Sequence, residues 1–318
     1  MDFIRGLHNL KPRHRGCVAT IGNFDGVHLG HQAVIGQLAR KAAALELPTT
    51  LILFEPQPLE FFQPDSVPAR LTRLREKLEQ LRRHPVDRIL CMEFTAAFAA
   101  WSAEQFIARV LVQGLDVRYL VVGDDFRFGA GRRGDFALLR EAGKQHGFDV
   151  VATDTVAVQG ERVSSTRVRE YLASHDLAMA ERLLGRPYGM SGRVAHGNKL
   201  GRELGIPTAN IHVHRRRTPV AGIFVAEVVG LGSTPLPGVA SVGTQPTVGG
   251  TRTLLEVHLL DFNRDIYGKH VTVNFLKRLR DEQRFESLEE LKQWIERDIA
   301  DSRLFFSKNR PQRARDSL

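Results

Sequence analysis

The run from Ile21 to His31, Ile-Gly-Asn-Phe-Asp-Gly-Val-His-Leu-Gly-His, constrains this chain more than any other stretch. Cys17 to Ile21 is apolar and reads as a short buried strand. Gly22 and Gly26 interrupt it and permit a turn with unusual backbone angles. From Val27 the pattern becomes helical, because Val27, Val34, Leu38 and Leu45 can share one face. His28 and His31 therefore lie at the start of a helix, three residues apart and on one side. Free N–H groups at a helix N-terminus attract anions, and two imidazoles beside them add donors aimed at the same point. Three readings follow from these residues alone: a phosphate site, a pair of structural histidines, or two ligands of a metal site with no third ligand nearby. The loop lacks the Gly-Lys-Ser/Thr ending of a Walker A loop and does not match Gly-x-Gly-x-x-Gly.

The chain of 318 residues as a whole bounds the answer. That length predicts about two domains. Hydrophobic residues at 42% and charged residues at 25% describe an ordinary globular protein. No apolar run approaches the roughly 20 residues a bilayer-spanning helix needs, and Met1-Asp2-Phe3-Ile4-Arg5 does not begin a signal peptide. Cys17 and Cys91, in apolar runs, are expected to be buried thiols, which predicts a cytoplasmic protein without membrane partners. The net charge of +9 admits either nucleic acid or anionic small ligands. No RNA-binding aromatic motif or zinc-finger spacing is present, so small anions are the expected partners and nucleic acid is not. Part of the charge lies in Arg215-Arg216-Arg217 and in Lys308, Arg310, Arg313 and Arg315, read as solvated.

Up to about residue 185, strand-like runs (Cys17–Ile21, Thr50–Phe54, Arg88–Met92, Tyr119–Gly123, Asp149–Thr153) alternate with helical ones (His28–Leu45, Leu71–Arg83, Ala103–Leu111, Asp135–His146, Thr166–Ala173). That alternation predicts a parallel sheet covered on both faces, with ligands beyond the carboxyl ends of its strands. After the second strand come Phe54, Pro56, Gln57, Pro58, Phe61 and Phe62, a stiff aromatic loop suited to a planar ring or to core packing. After the fourth come Gly123-Asp124-Asp125-Phe126-Arg127-Phe128, read as either a ring-edge site or a capped turn. After the fifth come Ser164, Ser165 and Thr166, good N-caps, followed by Arg167 and Arg169, cations that oppose the helix dipole unless a polyphosphate neutralises them.

Beyond Leu183-Leu184-Gly185-Arg186-Pro187 the pattern changes. Short β-rich runs (Tyr188–Ala195, Ile206–Val213, Gly222–Val229, Gly238–Val242, Thr253–Leu260, Val271–Phe275) predict a small antiparallel barrel. A closing helix is expected at Leu288–Ile299, capped by Ser287. The loop Gly197 to Asn210 carries Gly197, Lys199 and Gly201, which could wrap phosphates, and Thr208 and Asn210, neutral oxygen donors suited to Mg²⁺ on ATP. Read by itself, it is equally a flexible entry to a strand. In Leu254–Leu260, Leu255, Val257 and Leu259 share one face and Glu256 and His258 the other.

These motifs together carry a resemblance. His28-Leu29-Gly30-His31 resembles the His-x-Gly-His signature of nucleotidylyltransferases. The longer Gly22–His31 string is similar to the first motif of bacterial bifunctional riboflavin kinase/FAD synthetases. Phe54–Pro58 resembles that family's Phe-x-Pro-His-Pro, with Gln57 in place of His. Ser164–Arg169 resembles Ser-Ser-Thr-x-x-Arg. Gly201–Asn210 resembles Gly-Arg-x-Leu-Gly-x-Pro-Thr-Ala-Asn, and Gly243–Thr247 departs from Gly-Thr-Arg-Pro-Thr at Gln245.

The resemblance implies an adenylyltransferase domain over 1–185, a kinase domain over 186–305 and a basic, disordered tail over 306–318. In the first it implies His28, His31 and Arg169 as catalytic, and Gly22, Asn23, Phe24, Gly26, Ser164, Ser165, Thr166 and Arg167 as ATP-binding. Phe54, Pro56, Pro58, Phe62, Asp124, Asp125, Phe126 and Phe128 would hold the flavin. In the second it implies Glu256 as general base, Gly197, Lys199, Gly201, Pro207 and Thr208 around ATP, and Thr208 and Asn210 on Mg²⁺. Riboflavin, FMN and ATP are the implied substrates. A different nucleotidylyltransferase or a tRNA-charging enzyme fragment, and a non-catalytic flavin- or RNA-binding regulator, are the rival readings. The kinase motif set opposes the first, and the presence of His28, His31, Thr208 and Glu256 opposes the second.

Overall fold

The computed structural model describes residues 1–196, 205–215, 217–247 and 250–309. The chain divides into two compact units, Met1–Pro68 with Thr72–Ser165, and Ala69–Leu71 with Thr166 onward.

The first unit is built on a parallel sheet in the order β1-β4-β3-β2-β5-β6. Its strands are β1 (Asp2–Arg5), β2 (Cys17–Ile21), β3 (Thr49–Glu55), β4 (Arg88–Glu93), β5 (Val117–Val122) and β6 (Asp149–Ala152). Side chains alternate between two cores. Val18, Leu51, Leu53, Ile89 and Val121 pack with Ile35 and Leu38. Cys17, Ala19, Ile52, Leu90, Leu120 and Val122 pack with Phe106, Val110 and Leu139 on the other side. The apolar runs are thus strands buried on both faces, as their composition predicts.

The helices in chain order are α1 (Leu29–Leu45), α2 (Pro58–Phe62), α3 (Leu74–Leu81), α4 (Ala96–Ala99) and α5 (Ala103–Phe106), which widens into a π turn over Ile107–Gly114. Then come α6 (Phe136–His146), α7 (Ser165–Ala173), α8 (Leu177–Leu184) and α9 (Leu288–Lys308). A small hairpin of β7 (Ala157–Val158) and β8 (Glu161–Arg162) precedes α7. Strand order reverses between β2 and β5, which places the switch point of the sheet beside Ile21.

The second unit contains a closed antiparallel barrel. Its strands are β9 (Gly189–Ala195), β10 (Ala209–His212), β11 (Gly222–Val229), β12 (Leu236–Thr247), β13 (Gly250–Leu259) and β14 (His270–Arg280). Closure removes free edges. Phe224 and Phe275 fill the interior, with ring centroids 5.1 Å apart. Helix α9 is tied to β14 by the buried Arg280–Asp298 pair at 2.8 Å.

Differences from the sequence reading have local causes. β1 is an edge strand with Ile4 as its buried residue, too short and mixed to register as apolar. Helix α9 continues past Ile299 to Lys308, so residues 306–308 are helical where a disordered tail was expected. The polar run Asp301-Ser302-Arg303 hid this, although Ser302 is buried and Arg303 pairs with Asp261. The compact units part at Ser165/Thr166, whereas the expected boundary was 185/186. Helices α7 and α8 group with the second unit from Thr166 onward, and α8 buries Leu177, Ala180, Leu183 and Leu184. Ala69–Leu71 groups with it too: Arg169 Nε donates to the Ala69 carbonyl at 2.7 Å, and Arg215 donates to the carbonyls of Arg70 and Leu71. The calls on Gly197, Lys199 and Gly201, and the tail beyond 309, lie outside the described residues.

Phe224→Ala is expected to cost the barrel about 3–5 kcal/mol. An unchanged denaturation midpoint would show that the interior does not depend on this ring.

Candidate active site

In the first unit the chemistry collects at the switch point. Buried strand β2 ends at Ile21, and the chain turns through three left-handed residues, Phe24 (φ 48°), Gly26 (φ 86°) and Val27 (φ 45°). For Gly26 this conformation is free; for Phe24 and Val27 it stores strain of about 1–3 kcal/mol each. Phe24 and Val27 are buried, which anchors the turn. Helix α1 then begins with His28 as its N-cap, the His28 Nδ1 accepting a hydrogen bond from the His31 N–H at 3.3 Å. An accepting Nδ1 places a ring proton on Nε2.

The His28 and His31 rings stack with centroids 3.6 Å apart, and Phe24 lies 4.9 Å from His31 on centroids. Gly30 leaves little room for a side chain: a Cβ there would lie 3.1 Å from the His28 ring and 3.3 Å from the Val163 carbonyl oxygen. Burial, then His28, then Lys77 hold the His31 imidazole well below its usual value. Its Nδ1 is buried and makes no hydrogen bond.

These residues line a cleft of about 460 Å³. Gly22, Phe24, His28, His31, Asp125 and Ser164 were expected there, and the structure brings them together. The cleft also takes Thr153, Asp154, Thr155, Val156 and Arg162, which the sequence reading missed. Arg162 approaches Asp125 at 4.0 Å. Their signal was positional, since Thr153–Val156 directly follows a strand of the parallel sheet, where ligands of such sheets bind.

Other expected residues lie outside that lining. Asn23 and Gly26 belong to the turn, and Ser165 Oγ donates to the Asp25 carbonyl at 2.9 Å. Thr166 is exposed. Arg167 pairs with Glu170 at 2.6 Å and lies over the Tyr171 ring. These contacts and the Arg169–Ala69 bond give the first-turn arginines protein partners, so their place in α7 does not by itself require a polyphosphate.

The aromatic loop is more dispersed than its sequence implies. Phe54 packs against Phe94, Phe98 and Phe106 in an aromatic cluster. Phe128 is buried with Phe126 stacked on it. Phe62 is 63% exposed, Pro56 and Asp124 are exposed, and Pro58 begins α2. Gln57 is buried, its Nε2 without a hydrogen bond.

On the barrel, Asn210, Glu256 and Ser241 form one row across β10, β13 and β12, each opposite the next. Facing residues in such rows have Cβ atoms about 4.5–5.5 Å apart. Leu255, Val257 and Leu259 turn inward, leaving Glu256 and His258 on the other face, as their alternation predicts. Burial, then the neighbouring Glu282 carboxylate, raise the Glu256 carboxyl above its usual range. Ser241 Oγ donates to Glu282 at 3.3 Å. The His258 Nδ1–H donates to the Pro207 carbonyl at 2.9 Å, which fixes the approach to Thr208.

Comparison with known proteins also divides the chain in two, with the second match beginning at residue 184. The FAD synthetase family matches residues 10–167, and the riboflavin kinase family matches 184–306. A bifunctional riboflavin kinase/FMN adenylyltransferase of Escherichia coli K12 is 54% identical over 98% of this chain and 100% of its own length. That of Pseudomonas fluorescens is 52% identical over 95% and 97%. This chain belongs to the bifunctional riboflavin kinase/FMN adenylyltransferase family. A crystal structure described as a macrolide-efflux protein from Streptococcus pneumoniae shares the fold, with a TM-score of 0.80 and 28% identity over 95% of this chain and 99% of that one. Among the described residues, no helix is long and apolar enough to cross a membrane.

The adenylyltransferase cleft carries its own pH signature. A histidine held below its unfolded value stabilises the fold above about pH 6.5 and loses that contribution as pH falls toward its folded value. Stability should therefore decline below about pH 6.5, with His31 contributing a slope of up to about 1.4 kcal/mol per pH unit. Urea midpoints measured across that range should lose this component in His31→Gln. The same pH dependence in the variant would show that His31 is protonated without penalty.

Proposed function

We propose that the cleft of the first unit transfers the adenylyl group of ATP to FMN, and that the Glu256 face of the barrel phosphorylates riboflavin. The family's two reactions run in series: riboflavin and ATP give FMN and ADP, then FMN and ATP give FAD and pyrophosphate. The observation that carries the site assignment is the stacked His28–His31 pair at the N-terminus of α1, inside a cleft. It is an anion site by construction.

In adenylyl transfer, an FMN phosphate oxygen attacks the α-phosphorus of ATP as the bond to pyrophosphate breaks. Charge grows on the oxygens of the transferring group. The His28 and His31 rings, at the N-terminus of α1, would be donors to that charge. Ser164, on the cleft wall, contributes a further hydroxyl. No covalent enzyme intermediate is needed, because positioning and charge stabilisation supply the catalysis.

In phosphorylation, the riboflavin hydroxyl attacks the γ-phosphorus as its bond to the bridging oxygen breaks and ADP leaves, and the hydroxyl proton passes to Glu256. Burial beside Glu282 makes this carboxylate a stronger base than a solvated one. Thr208 and Asn210 are half-buried neutral oxygen donors, a set that fits Mg²⁺ already carrying phosphate oxygens. When bound, the cation neutralises phosphate charge. The two cysteines are free and buried, which supports a reducing compartment, the cytoplasm.

The direct test is purified protein with riboflavin and ATP, with FMN and FAD separated by chromatography. His28→Ala should lower FAD formation by about 10²–10³-fold in kcat while FMN formation continues. Equal loss of both activities with unchanged thermal unfolding would contradict the assignment. Glu256→Gln keeps the size and most hydrogen bonding of the side chain but removes its basicity. Kinase turnover should fall by roughly 10²–10⁴-fold, with FAD synthesis from added FMN retained. Near-normal FMN production by this variant would return Glu256 to an ordinary half-buried sheet residue.

A further inference from the structure

The turn that delivers His28 is held in place by a residue that takes no part in the proposed chemistry. Three of the residues from 24 to 27 are left-handed, and Val27 is β-branched, a residue type that avoids this region. Such a backbone persists where its surroundings over-determine it. Thr72, in the segment leading into α3, supplies that constraint. Its N–H and its hydroxyl both donate to Asp25 Oδ1, at 2.9 and 3.1 Å. The same hydroxyl oxygen accepts the Gly26 N–H at 2.9 Å. Thr72 is 4% exposed and Asp25 3%, so solvent does not compete for these bonds.

Further contacts close the frame. Ser165 Oγ donates to the Asp25 carbonyl at 2.9 Å, and Gln32 Nε2 in the first turn of α1 donates to the Val27 carbonyl at 3.0 Å. One hydroxyl thus joins the side chain of residue 25 to the backbone of residue 26, two positions before the N-cap histidine. A slack turn would leave the imidazoles in the cleft but misaligned with the anion.

We propose that Thr72, acting through Asp25, is a positioning residue for adenylyl transfer: it locks the Phe24–Val27 turn and so fixes His28 and His31 against the reacting phosphate. This rests on the histidine assignment above. Thr72 touches none of the reacting atoms; its effect is transmitted by the turn. Errors of about 1 Å in such a frame cost on the order of 10²-fold in rate.

The test compares Thr72→Val, which keeps the shape and removes the hydroxyl, with Thr72→Ser, which restores it. FAD formation is measured in the full chain, with FMN formation by the same preparation as the control for a folded protein. Thr72→Val should lower kcat for FAD formation by roughly 10–100-fold with little change in KM for ATP or FMN. Thr72→Ser should recover most of it. In a His28→Ala background, Thr72→Val should add little further loss, because the two act through one group. If His28→Ala is impaired and Thr72→Val is within about threefold of the unmodified protein, the positioning role is overturned. Full additivity with His28→Ala, or a Ser variant no better than Val, overturns it as well. If His28→Ala is itself unimpaired, the histidine assignment fails first, and the two failures remain distinct.

Discussion

A strand buried on both faces has no room for charged side chains along its buried length. Strands β2, β3 and β5 meet this constraint with runs such as Cys17–Ile21 and Thr49–Leu53, buried throughout. Chemistry is thereby expelled to the strand ends, and the reversal of strand order between β2 and β5 decides which ends converge. The cleft draws on the residues after β2, β5 and β6, three chain segments far apart in sequence. Everything proposed for adenylyl transfer depends on that exclusion of charge from the buried strands.

The barrel solves the opposite problem. Its strands bury one face, so a polar residue can stand in mid-strand provided it points outward. Glu256 occupies such a position, with Asn210 and Ser241 beside it in register. A slip of one residue in β13 would turn Glu256 into the barrel and Leu255 out of it. The paired strands that build the core therefore also set the geometry of the proposed base.

Much of this was legible in the sequence, and the exceptions have physical reasons. Apart from β1 and the small β7–β8 hairpin, the strands of both units followed from apolar runs and alternation, because their residues report directly on burial. The His28–His31 placement followed from a change of period at Val27, and the structure adds that His28 is the N-cap itself. Thr153–Val156 and Arg162 escaped notice because their contribution comes from where the chain passes, which their residue types do not encode. Thr72 escaped for the same reason: its partners, Asp25 and Gly26, are brought to it by the fold. The first-turn arginines show the converse error. The helix-dipole argument for Arg167 and Arg169 treated them as unpaired, whereas Glu170 and the Ala69 carbonyl meet them.

The stacking of His28 on His31 limits what the pair can do. Two imidazolium ions with centroids 3.6 Å apart would repel strongly in a buried site, so the pair does not carry two charges. The cap bond into His28 Nδ1 further requires that nitrogen to be unprotonated. In the proposed reaction the pair would therefore meet a phosphate with at most one charge, and the aligned peptide groups of α1 would add positive potential. Such dipoles are fixed by the fold and need no proton exchange with solvent to face a growing negative charge. This links the catalytic reading back to the turn: a site that works by fixed dipoles depends on alignment, and alignment here is set by residues 24 to 27.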